Sequence, residues 1–367
     1  MERKERLHIC LGTQCNNNCV FCMEEDRESR RRRLGRIDTA QVQRILSEAP
    51  VRDEVMFTAG EPTLRADLLD LVRRARELGF ERIGLITNGR RFAYADYLEQ
   101  AVDAGLNHIL VSIHGPDARL HDALTRTPGA FEQTVAGMAN LAELRRSGAA
   151  LRFVTTTVLN RRNLGRLEEH VRFLRRFAPD QIVFNCIQPV GRGERHFATL
   201  VPRYSDVVSA FADALARLGQ DAGRLFLLDV PACLTGGLPQ EAVGFVELHR
   251  HFEPEERDAG GNAGSPAPER ERRGAGQDSG CRMRKAPGTA EEPGRQADEC
   301  GDRPSTGNGA LRLVTKEATD RMLRVYGPDC PACAAFKWCD GIWRRYADEY
   351  GFDEFVPLGD ERRVEKA

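Results

Sequence analysis

The sequence has no apolar run that reaches the ~18–20 residues a membrane-spanning helix needs, which excludes an anchor of that kind. It also has almost no net charge. Its 54 Lys and Arg against 55 Asp and Glu leave −1 with His neutral. No global field then recruits nucleic acid or an anionic membrane, and neither is expected as a partner. Residues 1–6 are charged and lack the apolar segment of a secretory signal, so the expected location is cytoplasmic. The cytosol keeps thiols reduced, and the 11 cysteines are therefore not expected to form a disulfide framework. Metal or cluster ligation is the leading explanation for them.

What is present, over 367 residues, is a regular alternation. Short apolar runs at 7–12, 54–59, 82–87, 108–113, 151–158 and 181–187 read as strands. Amphipathic stretches at 38–49, 66–78, 94–104, 130–146, 164–177 and 204–218 read as helices. Asp38 and Thr39 suit a helix start, and Gly79 and Gly105 suit helix ends. Six β-then-α units imply parallel strands with right-handed crossovers. They are too few for a closed eight-stranded barrel. The expected fold class is α/β, a partial (β/α)6 barrel over residues 1–220, with a doubly wound sheet as the alternative. Either fold puts its ligand site at the C-terminal strand ends. Residues 221–252 form a bridge that carries Cys233, with 225–230 a possible further strand. Residues 253–309 are Gly, Pro, Glu and Arg with almost no apolar side chains, and are expected to be a disordered insertion. Order is expected to return over 310–367.

CLGTQCNNNCVFCMEED, residues 10–26, places Cys15, Cys19 and Cys22 at C-x3-C-x2-C directly after the first strand. A cubane iron–sulfur cluster needs one outer ligand on each of four irons. Three thiolates leave one iron open, as catalytic zinc keeps an open position for its substrate. The asparagine run suits the tight loop, because Asn accepts turn geometry and bonds its own backbone. Three structural zinc ligands are the bland alternative. Cys10 and Cys186 lie inside strands and read as small buried hydrophobes.

This motif, with Phe21 just before its last cysteine, resembles the radical S-adenosylmethionine (SAM) superfamily over about the first 200 residues. The resemblance implies a partial TIM barrel of the radical SAM type and a [4Fe-4S] cluster held by Cys15, Cys19 and Cys22, with SAM on the open iron. One electron then cleaves SAM to methionine and a 5′-deoxyadenosyl radical. TAGEPTL after the second strand is similar to the family's Gly-Gly-Glu-Pro motif, with Ala59 in place of the first glycine and Gly60, Glu61 and Pro62 matching. Glu61 can accept from the SAM ammonium, and Gly60 lets backbone approach closely. ITNG puts Thr87 at the site, VSIHG puts Ser112 on SAM, and QPVG puts the backbone of Gln188 beside adenine. Arg126 is a candidate for the SAM carboxylate. For His114, His121 and Asp122, and for Thr155, Thr157 and Asn160, a ligand contact and a core or turn role are both open.

A second run, CPACAAFKWC, holds Cys330, Cys333 and Cys339. It resembles the C-terminal SPASM or shortened twitch auxiliary domains of some radical SAM enzymes, although Trp343 stands where a further cysteine would be. A single second [4Fe-4S] cluster is expected, either with Cys233 as fourth ligand, in preference to Cys281 or Cys300, or with an open iron able to bind substrate. A zinc knob is the alternative, and Trp338 and Trp343 read as apolar cover. The arginines at 30–33 are either a solvated face or a dock for an acidic electron donor, flavodoxin or ferredoxin. The expected function is hydrogen abstraction from a substrate, leaning to a peptide side chain. A small molecule in cofactor or natural-product assembly is the alternative, including methyl transfer or sulfur insertion. A non-enzymatic iron–sulfur or zinc protein would leave G-E-P without a purpose.

Overall fold

The structure is a computed structural model and describes residues 6–23, 38–239, 242, 249–252, 313–315, 323–337 and 339–359. The seven strands β1 (Arg6–Cys10), β2 (Glu54–Thr58), β3 (Arg82–Thr87), β4 (His108–Ser112), β5 (Arg152–Leu159), β6 (Gln181–Cys186) and β7 (Leu225–Leu228) pair in parallel in chain order. β7 is the further strand the sequence allowed, so the sheet exceeds the six expected. Beyond β1 lie β8 (His249–Phe252), parallel to it, and β9 (Leu313–Thr315), antiparallel to β8.

This order decides between the two expected architectures. A doubly wound sheet reverses its strand order at a switch point. Here every crossover steps the same way, and right-handed connections then put all helices on one side. The sheet is an open barrel wall, and the doubly wound alternative falls. Alternate strand residues face the helices: Leu7, Ile9, Val55, Phe57, Ile83, Leu85, Ile109, Val111, Phe153 and Phe184 are all buried in the main core.

The helices follow the sequence reading closely. They are α1 (Thr39–Glu48), α2 (Leu68–Glu77), α3 (Ala95–Ala104), α4 (Ala118–Thr125), α5 (Ala130–Arg146), α6 (Leu167–Arg175) and α7 (Tyr204–Leu218). Asp38 and Gln41 form a reciprocal capping box at the start of α1. The eight-residue α4 was not anticipated; it spans barely two turns, too short for a clear periodicity, and starts where the Asp117 side chain accepts from Leu120 N–H. No helix among the described residues is long and apolar enough to cross a membrane.

The described residues of the tail pack with the barrel as one unit. Its helix α8 (Arg344–Tyr350) is clasped by phenols: Tyr204 N–H donates to Tyr346 Oη at 2.8 Å, and Tyr350 Oη donates to Val201 O at 2.8 Å. The rings of Tyr204 and Tyr346 lie 4.4 Å apart. Trp343 is buried under the Arg324 guanidinium, 4.2 Å from its ring centre. The expected insertion at 253–309 with Cys281 and Cys300, the arginines at 30–33 and Trp338 lie outside the described residues.

Candidate active site

The cysteine loop, 11–23, leaves β1 at its C-terminal end and is held by loops from four other strands. Leu11 N–H still bonds Thr58 O at 2.8 Å, so the ladder to β2 runs one residue past the strand. The turn after β2 then meets the loop from below. Gly60 has φ +59°, and a Cβ there would stand 2.3 Å from Gln14 O and 2.8 Å from Gly12 O. Only glycine fits so close to that backbone. Glu61 N–H donates to Gln14 O at 2.6 Å. Gly60 therefore approaches the cysteine loop itself, where the sequence suggested a ligand. Ala59, the departure from the family pattern, also sits at positive φ, 68°. That conformation costs an L-residue about 1–2 kcal/mol.

Glu61, expected to accept from the SAM ammonium, is also braced by the protein itself. Its side chain is 2% exposed and accepts from four protein donors. Oε1 takes Thr63 N–H (3.1 Å), Thr63 Oγ1 (2.7 Å) and Thr87 Oγ1 (2.7 Å), and Oε2 takes Asn88 N–H (2.7 Å). Burial pushes this carboxyl up from its ordinary range while the donors pull it back. The carboxylate ties the β2 turn to the β3 turn and also lines the cavity beside it. Thr87, at 2% exposed, faces Glu61, and its oxygen also accepts from Gly89 N–H at 3.0 Å. Pro62, buried, opens the 3-10 turn Pro62–Leu64, where its missing N–H costs nothing. Beside this turn a cavity of about 830 Å³ opens between Gly12, Gln14, Ala59, Glu61 and Arg65.

The other arms reach the loop from β3, β4 and β6. Asn88 Nδ2 donates to Asn16 Oδ1 (2.6 Å), and Arg90 Nη1 to Asn16 O (2.8 Å) and Asn17 Oδ1 (2.9 Å). From the end of α4, Thr125 O and Leu124 O accept Asn18 N–H and Val20 N–H, both at 2.9 Å. After β6, Arg192 Nη1 donates to Asn18 O (3.0 Å), Asn18 Oδ1 and Cys19 O (3.1 Å), and Arg192 N–H to Cys22 O (2.9 Å). Gly191, at φ +59°, would put a Cβ 2.1 Å from Met23 O. Sequence reasoning missed Arg90, Gly191 and Arg192. The signal was a Gly-Arg pair in the loops after both β3 and β6, its glycine closing ITNG and QPVG and its arginine one residue beyond.

The remaining candidates separate. Phe21 turns into the core, its ring edge-on to His114 at 4.6 Å and 73°. His114, His121 and His170 are buried, and burial holds all three below the ordinary imidazole range, with His121 at about 4. They are neutral aromatic packing at pH 7. Asp122 accepts from Gly129 N–H (2.7 Å) and Phe131 N–H (2.8 Å), capping the start of α5. Thr157 bonds Ile113 O and His170, and Asn160 bonds its own loop, so both are structural; Thr155 is fully buried on the same face as Thr157. Ser112 stays half-buried on the opposite face, in register with Thr156, whose Oγ1 accepts from Asn185 Nδ2 at 2.6 Å. Gln188 Nε2 reaches Asp229 Oδ2 at 3.2 Å, while its carbonyl accepts Val190 N–H at 2.9 Å. Arg126 is exposed at the left-handed end of α4, φ +49°.

Cys15, Cys19 and Cys22 are half-buried, and none of the described cysteines is in a disulfide. Asn17 N–H points at Cys15 Sγ, 3.4 Å away. The second group repeats this: Gly327 N–H faces Cys330 Sγ (3.3 Å), Leu358 N–H faces Cys333 Sγ (3.3 Å) and Gly341 N–H faces Cys339 Sγ (3.4 Å). Cys233 joins that group, packing with Cys333 and Cys339 around Ala232, Ala335 and Leu358. Burial and the three neighbouring thiols push Cys233 up to about 12. Backbone donors aimed at sulfur stabilise thiolates bound to iron and tune cluster potentials, so both donor sets suit iron–sulfur ligation. Among the described residues no three His, Cys, Asp or Glu side chains converge as one ion would require. A cubane instead spreads its ligands over separate irons.

Residues 9–174 match the family model described as the Radical SAM superfamily. A protein of Saccharolobus solfataricus named probable GTP 3′,8-cyclase is 30% identical over 193 residues, 53% of this chain and 60% of that one. One of the same name from Methanopyrus kandleri is 33% identical over 132 residues, 36% of this chain and 41% of that one. The match thus spans 60% or less of these relatives' own length. Among solved structures, Streptococcus suis SuiB bound to S-adenosylmethionine superposes with a TM-score of 0.48 at 17% identity, over 65% of this chain and 53% of that one. The leaning to a peptide substrate finds no support in the curated relatives.

Proposed function

Because the chain carries a radical SAM domain over residues 9–174, which implies a [4Fe-4S] cluster and SAM, we propose that it is an enzyme that abstracts hydrogen from a small molecule. The observation that carries the reading is the three-cysteine loop seated on the C-terminal strand ends of a parallel, singly wound sheet. When bound, the cluster and SAM supply a 5′-deoxyadenosyl radical by one-electron cleavage, the electron coming from a donor such as flavodoxin or ferredoxin. The chain's own residues do the rest. Cys15, Cys19 and Cys22 would hold three irons. The turns around Gly60, Asn88 and Gly191 fix the loop that presents them, and Phe21 with the neutral histidines seals its core side against water. The half-buried row of Ser112, Thr156 and Asn185 offers hydroxyl and amide groups on the open face of the sheet.

A nucleotide of the purine triphosphate class is the first substrate to test, in line with the names of the curated relatives. Anaerobically reconstituted protein given SAM and dithionite is expected to form several-fold more 5′-deoxyadenosine with GTP present than without substrate. A yield unmoved by nucleotides but raised by a peptide would return the reading to peptide modification.

Cys233, Cys330, Cys333 and Cys339 would hold a second [4Fe-4S] cluster in a SPASM- or twitch-like tail. Four thiolates leave no open iron, so this cluster would pass electrons and leave the substrate uncoordinated. Reconstituted protein should then hold about eight irons per chain, and replacing Cys330, Cys333 and Cys339 together by alanine should lower that toward about four. Iron content unchanged in that triple variant would overturn the second cluster.

A further inference from the structure

We propose that Arg90 and Arg192 are positioning residues that preform the cysteine loop and hold two positive charges against it, thereby raising the reduction potential of the cluster bound there. The inference rests on the reading of Cys15, Cys19 and Cys22 as cluster ligands.

The two arginines work as a pair of clamps. Arg90, after β3, grips residues 16 and 17 of the loop, and Arg192, after β6, grips residues 18 and 19. Between them they cover the whole asparagine run from Asn16 to Asn18 and the carbonyl of Cys19. Each follows a left-handed glycine, Gly89 at φ +74° and Gly191 at φ +59°, which turns the chain sharply at the strand end so that the arginine can reach back. Gly191 also lies too close to Met23 O for any side chain, so the β6 turn is pressed onto the far end of the same loop. The loop consequently does not depend on the metal for its path.

Every loop oxygen the guanidiniums hold is a neutral carbonyl or amide, and the third partner of Arg90, Gln133 Oε1 at 2.7 Å, is neutral too. Their charges are therefore not cancelled at their own hydrogen bonds. Three thiolates concentrate negative charge on this loop, and adding an electron adds more. A fixed cation nearby favours the reduced form, and cluster potentials respond to local charge and to hydrogen bonding around the sulfurs. Arg and Lys separate the two roles, since Lys keeps the charge but offers a single donor point where Arg offers a planar fork.

The test uses the full chain, anaerobically reconstituted, as wild type and as Arg90→Gln, Arg192→Gln and Arg192→Lys. Iron per chain, thermal melting and an EPR-monitored redox titration are measured, following the signal that changes when SAM is added. Both Gln variants should titrate at a more negative midpoint than wild type. Arg192→Lys should keep the wild-type midpoint while losing at least half of the SAM-responsive signal. Midpoints and loading equal to wild type in both Gln variants would overturn the proposal, as would a Lys variant that shifts like Gln. If Arg192→Gln does not fold, Arg90→Gln and Arg192→Lys decide. A wild-type chain with no SAM-responsive signal would overturn the ligand reading beneath it, and the clamp with it.

Discussion

Replacing Cys15, Cys19 and Cys22 together by alanine is expected to abolish 5′-deoxyadenosine formation from SAM under dithionite while leaving the barrel folded. The two halves of that expectation have separate grounds. Turnover is lost because the thiolates would be the only protein ligands of the cluster on which SAM is cleaved, and a cofactor's chemistry cannot be supplied by the scaffold. The fold survives because little of it rests on sulfur. Asn17 N–H reaches Cys15 Sγ at 3.4 Å, a weak bond. The loop's path is set by backbone bonds to Gln14 O, Asn18 N–H and Val20 N–H and by the side chains of Asn88, Arg90 and Arg192, none of which the substitutions touch. Three half-buried cysteines shortened to alanine should cost about 1 kcal/mol each at most. Chromatographic assay of deoxyadenosine beside a thermal melt reads both quantities. Continued turnover in the triple variant would refute the assignment, and a collapsed melt would show that the loop is less self-supporting than its hydrogen bonds imply.

That division of labour also marks where the sequence was readable. C-x3-C-x2-C, the helix start at Asp38 and Thr39 and the six apolar runs are local patterns, so their physics is contained in a few neighbouring residues. Cys233 was singled out from three possible fourth ligands by elimination, and it packs on the same small apolar cluster as Cys333 and Cys339, about a hundred residues further along the chain. The clamps were not readable in the same way. Arg90 meets Asn16 across a separation of 74 residues and Arg192 meets Asn18 across 174, and nothing near either arginine says which carbonyl it will find. The motifs were recognised up to their glycines because a left-handed turn leaves a local signature, whereas the following side chain's partner is a tertiary fact. The partner of Thr87 was hidden for the same reason: its hydroxyl meets Glu61 across 26 residues of chain.

Glu61 itself carries the second large expectation. Glu61→Ala is expected to destabilise the protein by about 3–5 kcal/mol, because two backbone N–H groups and two hydroxyls lose their shared acceptor inside the core. Glu61→Gln should be milder. Its amide oxygen can keep the three donors of Thr63 and Thr87, while its NH2 must face Asn88 N–H, one buried donor against another, at a cost of about 1–3 kcal/mol. The damage should travel by a defined route. Asn88, released from Glu61, is the residue that bonds Asn16, and Glu61 N–H is the bond to Gln14. Iron loading should therefore fall in both variants in step with the melting temperature, Ala more than Gln, and SAM binding should weaken only as far as the cluster is lost. A carboxylate that held the SAM ammonium directly predicts a different pattern. Glu61→Gln would then keep its iron and its melt and lose SAM affinity tenfold or more, since the charge-assisted bond alone would be missing. Calorimetric titration of SAM into fully loaded Glu61→Gln distinguishes the two, and the second pattern would return Glu61 to the ligand and leave Thr63 as the main brace of the β2 turn.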